Sequence, residues 1–491
     1  MLPLMRTLLW TLTDGLKITV TMKNRHLMKR VGIILVMLLV TVASQAQQTL
    51  RTGYFLEGNS YRYRINPAMM SERNFFSMPL LGNVNIDTKG NLGLSHVVYD
   101  APDGEDLVTF MHPSVSDNEF LGKLDSENSV SLGADFTILA AGFFAFGGYN
   151  TIDLGLHSRV GMNIPYDMFK FMKVMGNENY CINDLNINTN NYLDLAIGHS
   201  HKITKDLTVG ARLKFLFGLA YADVMFDKME LSMTGKQWIV NAQGTADIAM
   251  GGAFKHSGDR FVNGTPAVDG YDDAAVSMNG FGLGIDLGAV YDLSNCLTKG
   301  LVVSASLNDI GFMNWNKVAR AAVSPENPYT FNGFENIAIH DDVPGTTLED
   351  QFDDLKKDLE NFFALEDKGE SSVNNMLSAT LNIGIEYTMP FYDKLSAGIL
   401  YTGRFDSMYP LHQFSFMANV APLNWLDMAA SVTASNYGAG FGAMANVHLK
   451  SFNFFIGTDC FVSKVGKQFI PVDNMNASVS FGINIPFGAG K

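Results

Sequence analysis

The sequence predicts an all-β protein, an antiparallel transmembrane β-barrel of about 14 strands with an N-terminal hatch segment and a small helical outer loop. Apolar and polar residues alternate along many of its segments. The chain is 47% hydrophobic and only 17% charged. Beyond residue 46, however, it has no apolar stretch near the roughly 20 residues that a membrane helix needs. Interleaved apolar positions are expected where one strand face meets lipid and the other meets a polar lumen.

The N-terminal residues 1–46 have the organisation of a secretory signal peptide. A basic region precedes the uncharged apolar run Val31–Val40, which is too short to span a bilayer as a helix. The small-x-small triplet Ser44–Ala46 then predicts cleavage before Gln47. Residues 1–21 add nothing that such a peptide needs, so translation is compatible with a start at Met22 or Met28. We therefore expect a secreted precursor whose mature part resides in the outer membrane of a Gram-negative cell.

Period-two alternation is clearest in three segments. From Leu377 to Met389, from Leu426 to Ala434 and from Ala477 to Phe487, apolar residues occupy every second position. A soluble β-sandwich also alternates, but its strands are typically about five or six residues long. Strands that cross a bilayer at a tilt need about 9 to 11 residues, which the two longest of these runs reach. The sequence therefore favours a membrane barrel over a sandwich.

The chain can be threaded up and down as an even number of strands with both termini on the periplasmic side. Short connections then fall on the periplasmic side and most long ones outside, as is usual for bacterial barrels. The predicted strands are 92–99, 129–142, 150–164, 190–202, 206–219, 278–293, 299–310, 376–390, 394–404, 413–421, 425–436, 440–450, 453–463 and 475–487.

These strands divide the chain into three parts. Residues 1–46 are the signal peptide, residues 47–91 are an N-terminal hatch or plug, and residues 92–491 are the barrel. Within the barrel, residues 316–375 are predicted as a long acidic outer loop. Its section 341–370 is rich in Asp and Glu and has apolar residues at helical spacing, which predicts an amphipathic helix that packs as a lid on the rim or contacts a partner.

No enzyme motif is found, and we expect neither catalytic residues, nor a cofactor, nor a metal site. His199 and His201 share one strand face, but they continue an apolar face toward a predicted turn and are interpreted as interfacial residues. The net charge of -14 argues against nucleic acid as a partner. Strand parity instead predicts charged side chains inside the lumen, where we expect ion pairs across it. The lumen-facing candidates are Asp153, His157, Arg159, Arg212, Lys214, Asp286 and Glu386.

Four short sequence segments show a family resemblance. Asn66-Pro67-Ala68, which precedes the first predicted strand, resembles the N-P-A motif of FadL-type fatty-acid channels and of the PorV-like barrels of Bacteroidota. A family of FadL/PorV-related barrels of unknown function has sequence segments similar to Leu207 to Lys214, Gly282 to Tyr291 and Ser304 to Trp315. The resemblance implies a 14-strand barrel with an N-terminal hatch that contains Asn66, Pro67 and Ala68.

Two functions remain open from the sequence. The first is an outer-membrane channel or transporter for a hydrophobic or amphipathic small molecule. The alternative is a non-enzymatic PorV-like barrel that docks secreted proteins or organises a surface complex. The expected partners are accordingly outer-membrane lipid and either a hydrophobic small molecule or a secreted or surface protein.

Overall fold

The computed structural model describes residues 50–488 except 101–106, 111, 175–177, 234–237, 263, 324–328, 332–364, 407–409 and 461–475. Strands dominate this part of the chain, and helices are short. The helices are α1 Leu94–Val97, α2 Asp117–Leu121 and α3 Tyr166–Val174. The strands are β1 Asn74–Ser77, β2 Val84–Gly90, β3 Val98–Asp100, β4 Leu107–Thr109, β5 Glu127–Ala145, β6 Gly148–Pro165, β7 Asn179–Lys202, β8 Leu207–Met233, β9 Trp238–Ala249, β10 Gly251–Val262, β11 Thr265–Ala275, β12 Gly280–Asp292, β13 Leu301–Val323, β14 Tyr329–Phe331, β15 Leu365–Met376, β16 Thr380–Thr388, β17 Leu395–Arg404, β18 Leu411–Leu423, β19 Leu426–Ser435, β20 Gly438–His448, β21 Asn453–Thr458 and β22 Ala477–Phe487.

The strands close into an antiparallel barrel of 14 strands, so the predicted fold class is confirmed. Going round the wall, β5 to β8 are followed by β12, β13 and then β16 to β22, each hydrogen-bonded to the next. The remaining place, between β22 and β5, is filled by β1 and β2 together. Because every wall strand has two neighbours, the barrel has no open edge at membrane depth.

The first strand of the barrel is not where the sequence predicts it. Residues 92–99 contain α1 and the start of β3, which pairs with β4 outside the wall. Both β1 and β2 instead pair with β22 on one side and β5 on the other, so they act as one interrupted strand. The barrel wall therefore begins at Asn74, and the hatch is shorter than the predicted range 47–91.

The other 13 predicted strands all correspond to wall strands, but three of these extend much further on the outer side. β7, β8 and β13 have 24, 27 and 23 residues, which is more than twice the roughly 9 to 11 that cross a bilayer. β9, β11 and β15 add to this extension, and β10 pairs with β11 at its side. Long outer loops predicted at 220–277 and 316–375 are thus largely strands in their described parts.

The outer side also carries a small helical cluster. Phe110, Phe120 of α2 and Phe169 of α3 pack together, with ring centroids of Phe110 and Phe120 4.2 Å apart. The helix predicted within 341–370 lies outside the described residues up to 364, and residues 365–370 belong to β15. None of the described helices is long and apolar enough to cross a membrane.

Strand parity separates the two faces of the wall as predicted. In β16, Ile383 and Ile385 are exposed on the outside, whereas Asn382 and Gly384 between and beside them are buried inside. Asn382 is only 1% exposed although its side chain is polar. The lumen at this height is therefore filled rather than open.

Candidate functional site

The lumen is filled by the N-terminal segment 50–73, which we call the hatch. It contains two short 3-10 turns, Arg51–Gly53 and Arg62–Arg64, and most of its side chains are buried. Among the described residues its backbone makes no backbone-to-backbone hydrogen bond to a wall strand, although several of its carbonyl groups accept from wall side chains. The hatch is therefore held by side chains and by packing, unlike the strands around it.

Asn66, Pro67 and Ala68 form a tight turn against the wall. The backbone N–H groups of Ala68 and Met69 donate to the side-chain and backbone oxygens of Asn66, over 3.0 and 2.9 Å. The Asn66 amide donates to the carbonyl oxygens of Ala289 and Ala305, each 3.3 Å away, and the residue is fully buried. The fixed φ of Pro67 suits such a rigid turn.

Wall glycines make room for this turn. A Cβ placed on Gly210 of β8 would lie 2.3 Å from the backbone oxygen of Pro67, and a Cβ on Gly288 of β12 would collide with Asn66. Neither glycine has a left-handed φ, so close approach of the hatch is the reason for glycine here. Gly210 and Gly288 thus serve hatch packing, whereas Gly282 and Gly284 of β12 approach residues outside the hatch.

The carbonyl oxygen of Ile65, next to this turn, is a second anchor. It accepts hydrogen bonds from Ser306 and from Asn308, both at 2.6 Å, and from Asn382 at 3.4 Å. These three side chains project inward from β13 and β16 and are all buried. Each donor satisfies a backbone oxygen that the hatch could not pair by itself.

Four of the predicted lumen residues meet in one ion-pair network beside the hatch. Asp153 accepts from Tyr63 at 2.5 Å, from Arg64 at 2.8 Å and from Arg212 at 3.0 Å. Arg212 also donates to Asp286 at 2.9 Å. Asp153 thus joins two hatch side chains to the barrel wall.

The network continues on the wall through Lys214. Its Nζ lies 2.8 Å from Asp286 and 2.6 Å from Asp309. Lys214 is thus the third cation of the network, after Arg64 and Arg212. The three cations face the carboxylates of Asp153, Asp286 and Asp309, so the charges balance. Such balance offsets the cost of removing these groups from water.

The remaining predicted lumen residues lie apart from this network. His157 bridges Asp135 and Asp194, at 2.7 and 2.8 Å from its two ring nitrogens. Arg159 contacts Asp87 at the longer distance of 3.4 Å. Glu386 accepts a hydrogen bond of 2.6 Å from Ser396, and no ion pair to it is found among the described residues.

Two cavities lie at opposite ends of the barrel. The outer vestibule has a volume of about 630 Å³ and lies at the end of the long connections. The inner vestibule, of about 780 Å³, lies at the end of the short turns and is bordered by the hatch residues Glu57, Arg62 and Met70. Both volumes fall in the range of about 300–1,000 Å³ that small-molecule pockets occupy.

Sequence reasoning missed several members of this site. Tyr63 and Arg64 lie in the hatch, where no strand parity predicts direction, and Asp135 did not stand out on β5. Asp309 was missed because β13 carries a bulge between Leu307 and Ile310, which turns Asn308 and Asp309 both inward. Asp309 has a φ of 59°, which fits the irregular backbone there.

The chain matches one family of proteins over most of its length. A model described as a family of unknown function (DUF5723) matches residues 67–459. The chain belongs to this family. The match runs from Pro67 to Asp459, so the DUF5723 model covers the end of the hatch and the wall up to β21, but neither the segment 50–66 nor β22. No curated protein matches the chain.

Solved barrels resemble the fold only distantly. The toluene transporter TodX of Pseudomonas putida has a TM-score of 0.42 and 11% identity, covering 91% of this chain and 100% of its own. A FadL homologue of Pseudomonas aeruginosa has a TM-score of 0.42 and 10% identity over the same shares. FadL-type barrels are thus among the structures to which the chain is similar. Likenesses at this level carry no argument about its substrate or mechanism.

Proposed function

We propose that this chain is an outer-membrane barrel that passes a small amphipathic molecule from the outer to the inner vestibule when the hatch moves. The observation that carries the proposal is that two ligand-sized cavities lie at opposite ends of a lumen that the hatch fills. No backbone ladder joins the described hatch to the wall. Its displacement would therefore leave the closed ring of wall strands intact.

The lining of the outer vestibule supports an amphipathic rather than a purely apolar molecule. Amide and carboxylate side chains make up most of its residues, while Tyr221, Met225, Leu377 and Phe405 provide an apolar side. A purely hydrophobic ligand would leave buried polar groups unpaired, which costs about 1–3 kcal/mol for each group. Of the two ligand classes expected from the sequence, the amphipathic one fits this lining.

A disulfide lock tests whether the hatch gates the lumen. The hydroxyl oxygens of Thr52 in the hatch and Ser431 in β19 lie 2.9 Å apart, so the two side chains converge closely enough for a bridge. The pair Thr52→Cys and Ser431→Cys would be built in a background with the native cysteines changed to serine. Single-channel conductance and whole-cell uptake of N-phenylnaphthylamine would be measured before and after reduction.

Oxidation should suppress channel openings and probe uptake, and a reductant should restore both. The matched control is Ser431→Cys alone in the same background, which cannot form the bridge and should respond to neither treatment. Equal conductance and uptake in the oxidised and reduced double variant would contradict gating by this segment.

A second candidate function, docking of a secreted or surface protein, is favoured by one specific observation. The extension built on β7, β8 and β13 reaches beyond the length that a bilayer requires. A photo-crosslinking residue at Phe261 of β10, which is 61% exposed, tests this function in intact cells. Docking predicts one discrete crosslinked product there and none at the lipid-facing Phe416; lipid adducts alone at both positions would contradict it.

A further inference from the structure

Asparagine is the characteristic side chain of the outer vestibule. The amides come from three separate strands, β6 and β7 of the wall and β15 of the outer extension, and converge on one cavity. The asparagines that line it are Asn163, Asn186, Asn188, Asn190, Asn374 and Asn375. Each amide offers two N–H donors and an oxygen with two lone pairs, so the cavity presents donors and acceptors side by side.

Two of these amides are buried and incompletely paired within the described part of the chain. Asn186 and Asn190 of β7 are 4% and 6% exposed, and the side-chain oxygen of each has no hydrogen-bond partner. The Asn186 amide nitrogen donates to Asp223 at 2.9 Å, which fixes the orientation of the amide. Buried polar atoms normally have partners; these two oxygens are covered in this structure, so the donors of a ligand reach them when the amides turn toward the cavity.

The charge of the lining argues against an anionic ligand. Glu127, Asp184, Asp223 and Asp406 line the cavity, whereas Arg159 is the basic residue among its described lining residues. Arg159 in turn lies 3.4 Å from Asp87. A carboxylate or phosphate would meet net repulsion here. Hydroxyl groups meet none, because they donate to carboxylate and amide oxygens and accept from amide N–H groups.

One wall of the cavity is apolar and rigid. Tyr221 lines it and stacks on the fully buried Trp315, with ring centroids 5.2 Å apart and an angle of 22°. Met225 and Leu377 lie on the same cavity. Tyr221 and Met225 are the cross-strand neighbours of Asn190 and Asn186. A sugar ring has hydroxyls at its edge and C–H groups on its faces, so it matches a cavity in which amides and apolar side chains lie next to each other.

We propose that the outer vestibule is a binding site for a neutral saccharide, with Asn186 and Asn190 as hydrogen-bond acceptors for its hydroxyls. This deepens the proposed function, on which it rests for the idea that a ligand enters from outside, by naming the chemical class of the polar part. Binding itself takes place above the hatch and does not require the hatch to move.

The test measures binding and passage separately. The full mature chain in lipid nanodiscs, free of glycosidic detergent, would be titrated calorimetrically with maltotriose, cellotriose and chitotriose, and with tri-alanine as a peptide that also offers hydrogen-bond donors and acceptors. We expect saturable binding of at least one trisaccharide and none of tri-alanine. The double variant Asn186→Leu/Asn190→Leu should bind at least about tenfold more weakly, because it removes both free acceptors.

Asn183→Leu is the matched control, since Asn183 lies on the same strand but is exposed. Retained heat-modifiable mobility on gels would show that each variant is folded, and Asn190→Asp provides a milder second variant that keeps the oxygen acceptor and should retain binding. Binding that persists in the double variant, binding of tri-alanine instead, or no binding of any trisaccharide would overturn the site.

Liposome swelling with the same trisaccharides reports on passage. Binding without swelling would leave the saccharide site standing and contradict the proposed transport. Swelling without binding to the vestibule would contradict the site and leave transport standing.

Discussion

The side-chain oxygen of Asn66 occupies the space that a side chain at Gly288 would need. A Cβ built on Gly288 would lie 2.1 Å from Asn66 Oδ1 and 2.9 Å from Pro67. The hatch therefore approaches the wall as closely as the absence of a side chain allows. Any larger residue at this position must displace the Asn66-Pro67-Ala68 turn or push β12 outward.

The first prediction follows from this contact. Gly288→Val should displace the turn from β12, because overpacking a filled interior costs about 1–3 kcal/mol. We expect the variant to insert normally but to show a several-fold higher open probability in planar bilayers. Gly258→Val is the control, since a Cβ on Gly258 meets no atom within 4 Å. Unchanged gating in Gly288→Val would show that this contact does not contribute to pore closure.

The second prediction concerns the ion-pair network. Asp153→Asn removes the charge that Arg64 and Arg212 share, and leaving buried cations without their partner typically costs about 3–5 kcal/mol. The free energy of unfolding in urea, followed by tryptophan fluorescence in micelles, should fall accordingly. Asp393→Asn, in the exposed turn between β16 and β17, should change it by less than about 0.5 kcal/mol. A loss no larger than this control would mean that the network does not hold the hatch.

The third prediction tests how deep in the lipid the outer face of β16 lies. Ile383→Arg should destabilise the barrel by roughly 2–4 kcal/mol, because Ile383 lies near the middle of its strand and is exposed on the outside. Ile203→Arg introduces the same change at a turn, where the expected cost is about 0–1 kcal/mol. Equal losses of unfolding free energy at the two positions would show that the membrane boundary has been assigned wrongly.

The fourth prediction concerns processing and location. The N-terminus of the protein isolated from cells should lie near Gln47, and fractionation should recover the protein with the outer membrane. The folded barrel should migrate anomalously on gels unless it is heated. N-terminal sequencing and a heat-shift assay check both points, and recovery in the soluble periplasmic fraction would contradict the assignment.

The sequence predicted most of the wall because strands between lipid and lumen must alternate over their whole length. The first strand was missed because β1 and β2 are short and residues 78–83 interrupt them, so no run of alternation is long enough to detect. The residues 92–99 looked more regular, yet they form α1 and part of β3. Alternation of apolar and polar residues thus identifies a strand only where the strand runs without interruption.

The candidate site was predictable in part for a similar reason. Parity along each strand indicated that Asp153, Arg212 and Asp286 point inward, but the partner of each depends on the barrel radius and on the register between distant strands. The contacts of Asp153 with the hatch residues Tyr63 and Arg64 required the path of a segment without periodicity. The outer extension was missed because strands outside the membrane have no lipid-facing side, so their residues need not alternate between apolar and polar.

The position of β1 and β2 between β22 and β5 has a consequence for assembly. The hatch is joined directly to β1 at Asn74, and the barrel closes only when β1 and β2 pair with β22, the last described strand. Because hatch and seam strand are one continuous segment, the pairing of β1 with β22 and β5 holds the end of the hatch beside the wall residues that contact Ile65 and Arg64. Closure of the wall and docking of the hatch are therefore coupled events.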